Sequence, residues 1–122
     1  MIRETDQLQP ALLLLLPYRI PTMRVFRRNV ATVKIEGRTV KFGIKGQPDF
    51  YGVVDGGLHV EVELKAAGGR LRPEQREFRD WCIEHRIPYV NPIARADETI
   101  EQTVERWCDE IASVVGLQCV RA

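Results

Sequence analysis

Apolar residues change their spacing along the chain, and the changes mark the elements. Residues 3 to 16 carry a leucine-rich helical pattern that Pro17 is expected to end, and Pro21 keeps the next stretch extended. From Met23 the period drops to two. Val33 and Ile35 alternate with polar neighbours, Glu36-Gly37 offers a turn, and Val40, Phe42 and Ile44 alternate again. After Gly46-Gln47-Pro48, strands are expected from about Asp49 to Val54 and from Leu58 to Lys65, joined by Asp55-Gly56-Gly57. Ala66 to Arg70 is a small, glycine-rich break, and Pro73 suits the first position of a helix. Phe78, Trp81, Cys82 and His85 form its apolar stripe. A short strand follows at Ile87 to Val90. Asp97 is the expected cap of a last helix with Ile100, Val104, Trp107, Cys108, Ile111, Val114 and Val115 on one face. This order implies an α/β (α+β) fold with helices on the faces of a central sheet.

At 122 residues and 14.0 kDa, the chain is read as one domain spanning 1–122. Its 44% apolar and 29% charged residues are those of a soluble globular protein. Leu12 to Leu16, bracketed by Pro10 and Pro17, falls far short of the ~20 residues that span a bilayer, so no membrane role is expected. The three cysteines, Cys82, Cys108 and Cys119, have no C-x-x-C spacing, which points to reduced thiols and a cytoplasmic location. Two histidines, His59 and His85, exclude a multi-histidine metal site.

The net charge is +1, but the charges are segregated. Arg19, Arg24, Arg27, Arg28, Lys34, Arg38, Lys41 and Lys45 face only Glu36 between positions 19 and 46, whereas residues 97–110 are strongly acidic. Fourteen arginines to four lysines suit planar phosphate contacts. Such a stripe is often merely a solvated face; segregation within one small domain also fits a polyanionic partner.

Glu61, Glu63 and Lys65 share one face of a strand, opposite Val60, Val62 and Leu64. Plain solvent exposure would explain three ionisable residues in a row. The hairpin offers another explanation. With a three-residue loop, Val54 pairs with Leu58, Tyr51 faces Glu61, and Asp49 faces Glu63 with Cβ atoms roughly 4.5–5.5 Å apart. Opposed carboxylates repel, and a divalent cation between them removes the repulsion. All-oxygen ligands select Mg²⁺ or Mn²⁺.

Gly46-Gln47-Pro48-Asp49 followed by Glu63-Leu64-Lys65 resembles the PD-(D/E)xK nuclease superfamily, and within it a stand-alone VRR-NUC domain. The resemblance extends to the acidic Glu4 and to Leu71-Arg72-Pro73-Glu74-Gln75 opening a helix. It implies a restriction-endonuclease-like αβββαβ core, with a mixed central sheet flanked by helices. It also implies Mg²⁺- or Mn²⁺-dependent hydrolysis of DNA phosphodiesters. Asp49 and Glu63 would ligate the metal, with the backbone carbonyl of Val62 or Leu64 as a further ligand. Lys65 would orient the attacking water or steady developing charge, and Gln75 would act at the same site. Glu61 would stand behind these ligands or serve a second metal, and Glu4 would be the family's N-terminal acid, standing behind them. Arg24, Arg27, Arg28, Lys34, Lys41 and Lys45 are the expected DNA contacts. Arg72, where Ser or Thr is usual, weakens a helix cap and offers a cation to phosphate.

No helix-turn-helix or zinc finger is visible, so structure-selective cutting is favoured over sequence-specific restriction. The reading is a structure-selective endonuclease, Holliday-junction-resolvase-like, acting as a homodimer on branched DNA such as a four-way junction. The hairpin at 30–44 and the leucine-rich first helix are candidate dimer contacts. The rivals are a flap or general nuclease, a catalytically weak nucleic-acid-binding repair module, and an interaction protein that docks through its acidic last helix. Trp81, Trp107, Cys82 and Cys108 are read as core. His59 and His85 are read as non-catalytic.

Overall fold

A computed structural model of the protein describes residues 2–28, 32–41 and 43–121. Phe42 of the expected alternation lies outside these residues, and so does the Lys41 side chain. A π-helical turn, Glu4–Leu8, runs into α1 (Gln9–Arg19). Then come β1 (Met23–Arg27), β2 (Thr32–Ile35), β3 (Arg38–Lys41), β4 (Phe50–Val54) and β5 (His59–Val62). The chain continues with α2 (Pro73–Glu84), β6 (Tyr89–Val90) and α3 (Ile100–Val114).

The fold is α+β. One mixed sheet has the order β1-β4-β5-β6, antiparallel except for the β5–β6 pair, which α2 connects. β2 and β3 form a separate hairpin closed by Glu36 and Gly37, both at positive φ, as a two-residue turn of matching twist requires.

The sheet has two different faces. Phe50, Val54, Val60, Val62 and Leu64 point to one side, into a core with Leu8, Leu12, Leu16 and Ile20 from the first helix and Val104, Trp107, Cys108 and Ile111 from α3. The opposite face carries Phe26, Tyr51, His59, Glu61 and Glu63, and α2 packs toward it with Gln75, Phe78 and Cys82. The middle of that face is buried, with Glu61 and Glu63 3% and 5% accessible, while Phe26 on the edge strand is exposed.

The structure corrects four local expectations. The first helix passes through Pro17 to Arg19, because a proline removes one amide bond while the buried spacing Leu8-Leu12-Leu16-Ile20 continues beneath it. Thr99, not Asp97, caps α3, its hydroxyl accepting from the Gln102 amide in a reciprocal box. Trp107 is fully buried, but Trp81 is 47% exposed. The β5 ladder with β4 ends at Val62; beyond it, Glu63 and Lys65 are held from the other side, their amides donating to the carbonyls of Val90 and Pro92. All three cysteines are free, and among the described residues no helix is long and apolar enough to cross a membrane.

Candidate functional site

The β4–β5 register is the one the three-residue loop demands: Phe50 pairs with Val62, Tyr51 with Glu61, and Gly52 with Val60. Extending it one step sets Asp49 against Glu63, just where the two strands stop pairing. The Asp49 carbonyl stays tied to β1 by the Arg28 amide at 2.7 Å. Ahead of it, Gly46 lies so close to α2 that a Cβ there would stand 2.0 Å from the Glu74 carbonyl oxygen, with φ at +83°. The Gly46-Gln47-Pro48-Asp49 loop is therefore pinned to the N-terminus of α2 by a contact only glycine permits.

Several expected groups converge on Glu63. Burial pushes its carboxyl up to about 7; Lys65 pulls the other way, Asp49 and Glu4 push further, and Arg72 opposes them weakly. Gln75 donates its side-chain amide to Glu63 Oε1 at 3.3 Å, while its own Oε1 accepts from the Arg72 amide at 2.8 Å. One residue thus closes the first turn of α2 and touches the buried carboxylate. Arg72 contributes no cap of its own, since a guanidinium has nothing to accept with; it pairs with Glu74 at 3.1 Å. Glu4 joins from the π-helical turn, where it accepts from Gln9 Nε2 at 3.2 Å.

Glu61 has a different environment, although it is only two residues away. Arg28 clasps it with two bonds of 2.6 Å and also donates to the Pro48 carbonyl at 2.9 Å. His59 Nε2 meets the same carboxylate. The guanidinium lies 4.6 Å from the Tyr51 ring centroid, within a stack running Phe26–Tyr51–His59. Arg28 is thus neutralised inside the fold. Arg24, Arg27, Lys34, Lys45 and Arg72 are exposed.

A cavity of about 530 Å³ opens beside Asp49, with Arg28, Lys45, Gly46, Gln47, Arg72 and Glu74 on its walls. Its walls mix cations with carboxylates: Arg28 is paired with Glu61 and Arg72 with Glu74, and Lys45 is exposed. The all-oxygen donors and their mutual repulsion at Glu63 fit a hard divalent cation. Among the described residues, no three His, Cys, Asp or Glu side chains stand together as a metal cage. Asp49, Glu63 and a backbone carbonyl are the groups that would hold one.

Sequence reasoning missed two supports. Asn91 donates to the Glu63 carbonyl at 2.7 Å from just beyond the neighbouring parallel strand; its position two residues past Tyr89 was the available signal. Gln9 meets Glu4 five residues away, a spacing that π-helical geometry brings together and an α-helical wheel does not. No protein-family model, curated protein or solved structure matches the chain.

Proposed function

We propose that this protein is a Mg²⁺- or Mn²⁺-dependent, structure-selective DNA endonuclease of the VRR-NUC type, built on an αβββαβ core. The reading rests on one observation: Asp49, Glu4, Lys65 and Gln75 all act on one buried carboxylate, that of Glu63. Perturbed, partly uncompensated carboxylates of this kind gather at functional sites.

In this reading, a bound divalent cation supplies Lewis acidity and a more acidic water. The protein's own residues do the rest. Asp49 and Glu63 would hold the cation when ionised. Gln75 fixes one oxygen of Glu63, and Asn91 fixes its backbone. Lys65 places a positive charge beside the carboxylates, where a phosphate gains negative charge during hydrolysis. Lys45 and Arg72, lining the neighbouring cavity, bind flanking phosphates without reading sequence.

A homodimer acting on four-way junctions is the preferred substrate geometry, because two symmetric incisions need two identical sites. Purified protein with a panel of labelled junctions, flaps and duplexes tests this. Paired nicks at symmetric positions and a particle of about twice 14.0 kDa are expected. A monomer that cuts only flaps or linear duplex would leave a general nuclease, and binding without cutting would leave an accessory module.

A further inference from the structure

A second cavity, of about 390 Å³, adjoins the first at Ile44 and Gln47. Its character differs. Phe78, Trp81, Leu58 and Ile87 line it, and the only carboxylate in its wall, Glu61, is already saturated by Arg28 and His59. The indole of Trp81, tilted over Phe78 and His85 at centroid distances of 5.9 and 4.7 Å, is 47% exposed. Leu58 is 42% exposed and Ile44 64%.

Ile44 and Gln47 line both cavities. The segment between them is a turn, closed by the Gln47 amide on the Ile44 carbonyl at 3.2 Å and fixed at Gly46 against α2. A ridge one turn wide therefore stands between a polar cleft that contains Lys45 and Arg72 and a small aromatic pocket. A nucleotide has the complementary halves, an anionic phosphate joined to a flat apolar base. The pocket is at the small end of ligand sites, roughly 300–1,000 Å³, which suits a planar ring better than a peptide helix.

We propose that this pocket receives an unpaired nucleobase of the strand whose phosphate lies in the cleft lined by Lys45 and Arg72. The inference rests on the proposed nuclease reading for the cleft and adds the element that selects unpaired DNA. A base in a continuous duplex is stacked between its neighbours and cannot enter. A base in a flap or gap can enter without that cost, and one at a branch point can enter once its pair frays. Stacking on Trp81 then rewards branched over linear substrates and needs no sequence-specific contact.

Tryptophan fluorescence and equilibrium binding in EDTA test the pocket, because Trp107 is fully buried and only Trp81 reaches solvent. Single-stranded oligonucleotides are expected to quench the emission and to bind at least about fivefold tighter than abasic strands of equal charge. Trp81→Ala should remove most of that difference. Ile44→Ser, at an exposed site on the ridge, should reduce it. Equal affinity for normal and abasic strands, with no quenching, overturns the pocket. So does an indole shielded from acrylamide in a concentration-dependent dimer that Trp81→Ala dissolves. Mg²⁺-dependent cleavage is scored separately. Cutting without base discrimination removes the pocket and leaves the nuclease; base discrimination without cutting removes the nuclease and leaves the pocket.

Discussion

Two acidic regions of this molecule show opposite behaviour. On α3 and just before it, Glu98 receives two guanidinium bonds from Arg106, at 2.6 and 2.7 Å, and these hold its carboxyl down to about 2. Glu105 is similarly lowered by Arg19. On the sheet, burial carries Glu63 up to about 7 despite the opposing charge of Lys65, with Asp49 and Glu4 adding to the rise. The residue type is the same; the difference is a paired guanidinium. The contrast recurs within β5 and the residue after it, since Glu61 is clasped by the Arg28 guanidinium whereas Glu63 accepts from the neutral amide of Gln75. A carboxylate paired in this way serves the fold. One buried beside other carboxylates costs stability and is ready to take a cation.

The largest expected effect comes from breaking the neutralised half. Arg28→Met leaves Glu61 buried without its guanidinium, and a loss of about 3–5 kcal/mol is expected in urea unfolding. Adding Glu61→Gln should recover part of it, because the second change removes the orphaned charge. A single-mutant loss below about 1 kcal/mol would mean that the clasp is incidental.

The unpaired half should reveal itself through pH. Glu63 has a folded value above its unfolded one, so the folded state holds a proton that the unfolded state releases. In metal-free protein, its contribution to stability is therefore present below about 4.5 and is lost as pH rises toward 7, by about 3 kcal/mol. Glu63→Gln should flatten this slope. Glu98 has the opposite sign: its contribution is present above 4.5 and is lost as pH falls toward about 2. Unfolding of wild type, Glu63→Gln and Glu98→Gln across this range separates the two. A Glu63→Gln profile that follows wild type would contradict the contrast.

The part of the site set by local rules was legible in the sequence. Strict alternation and the Asp55-Gly56-Gly57 loop admit one register, Phe50 with Val62 and Tyr51 with Glu61, and just past its end the Asp49 charge acts on Glu63. Pro73 and Gln75 likewise gave the start of α2 and the side chain that faces the carboxylate. What depended on distant packing was not legible. Arg28 reaches Glu61 across 33 positions because β1 pairs with β4, and no turn between them announces that neighbour. Arg28 read as a surface cation for the same reason. Trp81 falls in the helical stripe with Phe78 and Cys82, but periodicity does not say which part of a stripe overhangs the sheet.

The divalent cation proposed between Asp49 and Glu63 should show in thermal unfolding with and without Mg²⁺ or Mn²⁺. At 100 times its dissociation constant, the ion should stabilise wild type by about 2.7 kcal/mol. Asp49→Asn should lose most of that gain and, by relieving the repulsion on Glu63, unfold at a higher temperature than wild type in EDTA. Equal metal-induced shifts in the two proteins would contradict the account.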